Sequence, residues 1–242
     1  MKKLKQITDA VYLIVALLLV MAVMMTGLYF NRSMVITEIT LQGNHMTDPD
    51  EILASSRLSE GMHGDSIVFL EVIERVEKMP WVASAHVNLS QSGKVRIRVE
   101  EEEPMALLID QGRTALVTES GIQLPLVLGK SVDVPLVYGF KVTDNADTLQ
   151  SASFQKVRSF LTRAKAYPGL YAMISEVMVT DTDGVVVLTN ENAVRLTFGH
   201  ENFDDRLHKW KAFQSQVIPE KGIRSMRSLD FRFRGQVVAQ EQ

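Results

Sequence analysis

Residues 11–30 read VYLIVALLLVMAVMMTGLYF, a run in which only the weakly acidic Tyr12 and Tyr29 carry ionisable groups. At about 1.5 Å per residue, a helix of this length spans roughly 30 Å, which is the hydrocarbon thickness of a bilayer. Its Val, Leu, Ile and Phe side chains together favour insertion by about 5 kcal/mol. The run therefore predicts a single transmembrane helix over residues 11–30, and this helix determines the layout of the remaining chain.

The charges on either side of this run predict its orientation. Three lysines lie within the first five residues, whereas Arg32 is the only Lys or Arg in residues 31–48. By the positive-inside rule, residues 1–10 form a cytoplasmic tail and everything from Asn31 onward is extracytoplasmic. A cleaved signal peptide is the alternative, but its apolar core is shorter and ends in a small-x-small site. Residues 31–34 (NRSM) lack that pattern, so we expect an uncleaved span in the inner membrane.

Composition limits what the extracytoplasmic part can do. The net charge of −3 and the isoelectric point near 6.0 offer no basic surface for a nucleic-acid function. The sequence contains no cysteine, which excludes disulfides, thiolate metal sites and a cysteine nucleophile. The residues after the span are enough for one large or two small domains.

The first part after the span has the pattern of a small α+β domain. Asp48 before Pro49 predicts a helix start, and Pro80 ends a second amphipathic helix. In Val95–Val99 the apolar side chains alternate with Lys94, Arg96 and Arg98, which is typical of a strand with one buried face. The predicted order is a strand at Val35–Leu41, a helix from Pro49 to about Ser56, a helix through Phe69 or Leu70, Ile73 and Val76, and strands at Trp81–Leu89 and Val95–Val99. We expect both helices on one face of a small sheet.

Glu100–Glu103 and Pro104 mark a boundary by charge and by proline. Four adjacent glutamates could suggest a cation site, but neighbouring side chains of an extended chain point to opposite faces. We therefore interpret the run as a solvated strand end that repels edge pairing.

The second part is predicted to be a mainly antiparallel β domain with two helices, covering residues 104–242 and ending in a short C-terminal tail. Val134–Gly139 is interrupted by Pro135, so we expect it along an edge of the sheet. The predicted elements are a hairpin over Ala106–Thr118, helices at Thr148–Ala166 and Asn202–Val217, a meander between those helices, and final strands at Ser225–Phe233 and Gln236–Ala239.

The sequence contains no catalytic constellation. Its five histidines are scattered, and none belongs to a His-Glu-x-x-His helix. Phosphate-binding glycine loops and nucleophile elbows are also missing. Asp181–Gly184 superficially resembles the start of a calcium loop, but the later ligands are missing and Asp-Gly between apolar runs is typical of a hairpin turn. We therefore expect no enzyme activity, no catalytic residues, no metal, no cofactor and no small-molecule substrate.

The order and spacing of several motifs over nearly the whole chain resemble the FtsQ family of bacterial divisome proteins, called DivIB in Gram-positive bacteria. The resemblance implies a POTRA domain over residues 34–103, followed by the family's β domain. It further implies a non-enzymatic scaffold that docks the single-span proteins FtsB and FtsL and helps to regulate septal peptidoglycan synthesis. The motifs are Thr40–Asn44 (TLQGN), Met79–Val87 (MPWVASAHV), Glu102–Pro104, Gly121, Val134–Gly139 (VPLVYG) and Leu229–Phe233 (LDFRF).

The resemblance also implies where the FtsB-type partner binds. In this family the partner adds a strand to the sheet edge just after an Asp-x-Arg-aromatic motif, which here is Asp230–Phe233. Unpaired backbone groups of an edge strand can accept such a strand. Phe231 and Phe233 could supply apolar anchors there, or they could face the core of the β domain. The implied edge consists of Phe233, Arg234, Gly235, Gln236, Val237 and Val238.

A second class of function remains open from the residues alone. A membrane-anchored POTRA-type chaperone for envelope polypeptides would share the first domain. Such proteins usually carry several POTRA repeats or a downstream barrel, and neither pattern occurs in this sequence. We therefore expect concentration at the division septum rather than uniform distribution in the envelope.

Overall fold

The computed structural model describes residue 12 and residues 14–27, 35–142 and 148–242. Residues 14–27 are α-helical (α1). Within these described ranges, no helix has both the length and the apolarity needed to cross a membrane. The predicted span of residues 11–30 lies partly outside the described residues, and the predicted cytoplasmic tail of residues 1–10 lies wholly outside them.

The chain divides into an N-terminal unit that ends at Glu101 and a C-terminal unit that begins at Glu102. In the N-terminal unit the described strands form one sheet in the order β1-β3-β2, with β1 parallel and β2 antiparallel to β3. The predicted order of strand, two helices and two strands is confirmed. The elements are β1 (Glu38–Gln42), α2 (Pro49–Ser56), α3 (Phe69–Val76), β2 (Val82–Leu89) and β3 (Lys94–Glu101).

Local signals in the sequence account for these elements. The Asp48 carboxylate accepts a hydrogen bond of 2.8 Å from the backbone N–H of Asp50, which caps α2 as predicted. α2 ends at Ser56 and is followed by Arg57, whose backbone is left-handed. The alternation in β3 is confirmed, because its apolar side chains are buried and its basic side chains are exposed. The core of the unit contains Ile52 from α2, Val72 and Val76 from α3, and Val95, Ile97 and Val99 from β3.

The sequence predicts Glu101 as part of a solvated strand end, but its side chain has a structural role. Its carboxylate accepts hydrogen bonds from the backbone N–H groups of His45, Met46 and Thr47, at 2.9, 2.7 and 2.7 Å. Burial alone would raise the pKa of Glu101, but these hydrogen bonds outweigh it and lower the pKa. An ionised Glu101 therefore fixes the turn that precedes α2.

We expect Glu101→Gln to destabilise the N-terminal unit by about 1–3 kcal/mol, because a neutral amide accepts these bonds more weakly. Since the pKa of Glu101 is lowered by folding, this stabilisation is present above the ordinary glutamate pKa near 4.3 and is lost as the pH falls below it. Urea denaturation followed through the buried Trp81, at neutral and acidic pH, measures both effects.

Glu102→Gln is the matched control, because this side chain makes no ion pair or hydrogen bond with the described residues. Amide exchange at residues 45–47 should accelerate in the Glu101 variant alone. Equal stability of the two variants at neutral pH would contradict the assigned role of Glu101.

In the C-terminal unit nine described strands form a mixed sheet in the order β12-β11-β10-β9-β8-β7-β4-β5-β6. Most neighbours are antiparallel as predicted, but β4–β7, β7–β8 and β10–β11 are parallel. The strands are β4 (Pro104–Asp110), β5 (Arg113–Thr118), β6 (Gln123–Leu124), β7 (Leu136–Tyr138), β8 (Ile174–Thr180), β9 (Gly184–Thr189), β10 (Arg195–Gly199), β11 (Met226–Asp230) and β12 (Val238–Glu241). The helices are α4 (Ala152–Ala164), α5 (Pro168–Tyr171), α6 (Phe203–Gln216) and α7 (Ile218–Lys221).

The expectation that Val134–Gly139 lies along a sheet edge is wrong. This segment contains β7, which lies between β4 and β8 and runs parallel to both. Pro135 precedes the strand, so its missing N–H removes no hydrogen bond from the interior of β7. The Pro135 carbonyl accepts a hydrogen bond of 2.9 Å from the N–H of Leu107 instead.

The first long helix of this unit is shorter than predicted. The predicted range began at Thr148, which instead forms an isolated bridge with Ile122. α4 begins after Ser151, whose hydroxyl accepts a hydrogen bond of 3.2 Å from the N–H of Phe154. This side-chain cap sets the start of the helix. Residues 143–147, which precede the predicted range, lie outside the described residues.

An aromatic cluster joins both long helices to the sheet. α4 contacts α6 and also β8 and β9. The ring centroid of Phe198 in β10 lies 4.7 Å from that of Phe160, 5.5 Å from Trp210 and 5.0 Å from Phe231. All four side chains are almost completely buried. Phe231, which follows β11, is therefore a core residue.

Candidate functional site

Strand β12 is an end strand of the nine-stranded sheet. Among the described strands its one partner is β11, in antiparallel register from Asp230 opposite Val238 to Met226 opposite Glu241. All four of its residues are exposed. In an end strand, alternate backbone N–H and C=O groups point away from the sheet and can pair with a further strand.

The observed edge strand lies closer to the C-terminus than the six residues implied by the resemblance. Only Val238, of the six residues implied by the resemblance, belongs to β12, and the other five lie in the connection between β11 and β12. Gly235 in this connection has φ +72°, a left-handed conformation that interrupts an extended strand. The exposed apolar side chains beside the edge are Phe233, which is 46% exposed, and Val238, which is 42% exposed. Val237 instead packs partly against the core.

A network of ion pairs fixes the end of β11. The Arg232 guanidinium binds Asp230, with Nε at 3.0 Å from both carboxylate oxygens and Nη2 at 2.6 Å from Oδ2. Its Nη1 also donates to Asp183 Oδ1 at 2.9 Å, and Asp183 Oδ2 accepts from Arg195 at 2.8 Å. The network therefore links the β8–β9 turn, β10 and the start of the β11–β12 connection.

Asp230 is ionised in this network. Partial burial alone would raise the pKa of Asp230, but hydrogen bonds from the side chain and backbone N–H of Arg232 outweigh it and lower the pKa. The same ion pair raises the pKa of Arg232. Both groups therefore remain charged at neutral pH.

Helix α6 also contacts the connection between β11 and β12. Lys209 Nζ donates to the carbonyl oxygens of Phe231 at 3.2 Å and Phe233 at 2.9 Å, and it also pairs with Asp205 at 2.8 Å. Arg206, one turn earlier, donates to the carbonyl oxygen of Phe198. These contacts are not predictable from the sequence, because no local pattern indicates which carbonyl groups a helical lysine or arginine will reach.

A shallow polar groove of about 280 Å³ lies beside β12. Its walls carry the positive and negative side chains of the ion-pair network, together with hydroxyl and amide groups of β10, β11 and β12. These groups can bind the polar side chains of a segment that pairs with β12. The groove is lined by Asp183, Arg195, Thr197, Ser228, Leu229, Asp230, Arg232, Val238 and Gln240.

The remaining sequence candidates for chemistry do not converge. All five histidines are exposed, at positions 45, 63, 86, 200 and 208. The calcium-like segment Asp181–Gly184 contains the turn between β8 and β9, and Asp183 pairs with two arginines there. Among the described residues, no group of three or more His, Cys, Asp or Glu side chains could hold a metal ion.

Comparisons with known proteins match both units. Residues 34–102 match the family model described as POTRA domain, FtsQ-type, and residues 103–240 match the model described as FtsQ/DivIB, C-terminal related. A "Cell division protein FtsQ" of Rhodothermus marinus is 30% identical over 219 residues, covering 87% of this chain and 79% of that protein. A "Cell division protein FtsQ" of Salinibacter ruber is 28% identical over 229 residues, covering 90% of this chain and 87% of that protein.

Among solved structures, the major extracytoplasmic domain of the cell division protein DivIB from Geobacillus stearothermophilus is 19% identical to this chain. It covers 50% of this chain and 98% of its own with a TM-score of 0.34, which is too low to support a detailed comparison. A POTRA domain followed by this type of C-terminal domain defines a class of bacterial cell division proteins. The chain belongs to the FtsQ/DivIB family.

We expect Arg232→Gln to destabilise the C-terminal unit by about 1–2 kcal/mol, because it removes the partner of the partly buried Asp230 carboxylate. The lowered pKa of Asp230 means that this stabilisation is present above the ordinary aspartate pKa near 3.9 and is lost below it. The difference in unfolding free energy between the unsubstituted protein and the Arg232→Gln variant should therefore shrink on acidification. Urea titrations at several pH values measure this difference.

Arg234→Gln is the matched control, because Arg234 is exposed and makes no ion pair or hydrogen bond with the described residues. It should leave the unfolding free energy unchanged. A pH-independent effect of Arg232→Gln would contradict the assignment to Asp230.

Proposed function

We propose that this chain is a non-enzymatic scaffold of the divisome, which docks FtsB- and FtsL-type single-span proteins and helps to regulate septal peptidoglycan synthesis. The observation that carries the proposal is the match of both units, in order, to the FtsQ/DivIB family. Curated relatives that cover most of the chain are named cell division proteins. The chemistry needed is recognition of other proteins, for which no catalytic group is required.

Docking of the FtsB-type partner is proposed at β12, through addition of a strand to the sheet edge. The exposed backbone of β12 supplies hydrogen bonds, and the exposed Val238 and Phe233 supply apolar contacts. The ion pairs of Arg232 and the contacts of Lys209 hold the preceding connection in place before the partner arrives. Such preorganisation reduces the entropy lost on binding.

We also propose that residues 11–30 tether the chain to the inner membrane, with the N-terminus in the cytoplasm and both units outside it. The apolarity of the run and the lysines before it support this topology. A tether beside other single-span proteins raises the effective concentration of each partner. The protein would then concentrate at the division septum together with those partners.

Depletion of the protein tests the cellular role. We expect filamentous cells that fail to complete their septa, and restoration of division by the full chain. A fluorescent fusion should concentrate at midcell. Normal division after depletion would count decisively against the proposal, and uniform envelope labelling would favour a POTRA-type chaperone.

Val238→Asp tests the proposed edge. An aspartate beside the docked strand would be desolvated against apolar groups, so we expect capture of the FtsB-type protein to weaken by about tenfold or more. Leu126→Asp is the control, because Leu126 is a similarly exposed apolar residue, at 49%, in the same unit. Co-purification and circular dichroism measure binding and folding. If the two variants retain equal capture, β12 is not the docking edge, whatever the outcome of the depletion.

A further inference from the structure

The outer face of the three-stranded sheet in the N-terminal unit is basic. Lys94, Arg96 and Arg98 project from β3 on the side opposite the buried Val95 and Ile97. We call this surface the basic sheet face. In cross-strand register with the two arginines, it also includes Thr40 and Gln42 from β1, and His86 and Asn88 from β2. Two carboxylates lie on the same face, Glu38 opposite Lys94 and Glu100 two residues after Arg98, so its three cations outnumber its anions by one.

The two central arginines of this face are exposed and have no partner among the described residues. Lys94 pairs with Glu38 at 2.6 Å, but neither Arg96 nor Arg98 makes an ion pair or hydrogen bond with the described residues. Residues two apart on a strand lie about 7 Å from each other, so the two guanidinium groups can bind separate anionic groups. Each guanidinium retains its full set of donors for such a ligand.

Charge is segregated across the N-terminal unit. The helices cover the opposite face of the sheet, and the segments on that side expose mainly carboxylates. This asymmetry gives the unit a positive and a negative side, which orients it in the field of a charged surface. The exposed acidic residues of the helical side include Asp50, Glu51, Glu60, Asp65, Glu71 and Glu74.

The position of the basic sheet face in the chain favours a lipid surface, because its first strand follows closely on the predicted span. Only seven residues, and so eight Cα–Cα steps, separate Glu38 at the start of β1 from Phe30 at the end of the predicted span. Even fully extended, such a segment reaches at most about 28 Å.

We infer that the basic sheet face docks the N-terminal unit against anionic phospholipid headgroups of the membrane that holds the predicted span. This inference rests on the membrane tether of the proposed function. The arginines bind headgroup phosphates, and the acidic helical side faces away from the bilayer. Docking limits the orientations of the unit relative to the membrane.

A single introduced cysteine can report this docking, because the chain has no cysteine of its own. Gln42→Cys places a dye on the basic sheet face, and Glu74→Cys places one on the exposed side of α3. Full-length protein is reconstituted in nanodiscs of phosphatidylcholine alone or of phosphatidylcholine with phosphatidylglycerol. Single-molecule energy transfer to acceptor-labelled headgroups then gives the ratio of docked to undocked molecules.

In the anionic discs we expect high transfer from the dye at position 42 and low transfer from the dye at position 74. Arg96→Gln with Arg98→Gln should lower the docked-to-undocked ratio by about thirty-fold, as expected for two arginines near an anionic surface. Molar salt should have a similar effect, because it screens the attraction. Arg57→Gln with Lys78→Gln removes two exposed cations from the helical side and should leave the ratio unchanged.

Equal ratios in neutral and anionic discs would overturn the inference, as would an equal loss in the Arg57/Lys78 variant. Docking that requires an added acidic protein would also overturn it. If the full chain is not retained in the discs, the proposed tether fails and the inference fails with it. Retention without docking contradicts the inference alone.

Discussion

The C-terminal unit depends on one aromatic contact cluster, centred on Phe198 in β10. Its ring packs against Phe160 of α4, Trp210 of α6 and Phe231 after β11, so one side chain joins both long helices to the sheet. Removing a ring this deeply buried would leave a cavity that close-packed neighbours cannot fill. The stacking of Phe231, with 15° between the ring planes, also fixes where the chain leaves β11.

The exposed edge follows from that apolar anchor and from the ions around it. Because Phe231 is held in the core, the adjacent Asp230 and Arg232 remain near the surface, where they pair with each other and Arg232 also reaches Asp183. Lys209 holds the carbonyl oxygens on both sides of Arg232. A connection held in this way can present β12 at the sheet edge without covering it. The groups that stabilise this connection therefore lie directly beside the proposed docking edge.

The smaller sheet of the N-terminal unit also has one buried face and one exposed face. Its helices cover one face, which leaves the other face to polar and basic side chains. Glu101 shows that even a run of like charges contains a residue with a specific structural task. Its carboxylate gathers three backbone N–H groups of the turn before α2, which neighbouring glutamates of identical chemistry do not do.

Features that depend on neighbouring residues can be predicted from the amino-acid sequence. Alternation in Val95–Val99 predicts a half-buried strand, Asp48 and Pro49 predict the start of α2, and the motif order indicates the family. Three other features appear only in the folded sheet: β7 lies between parallel strands, Asp183 reaches Arg232, and the end strand β12 begins at Val238. The reason is physical: periodicity reports which face of an element is buried. Pairing between distant segments depends on the packing of the whole sheet.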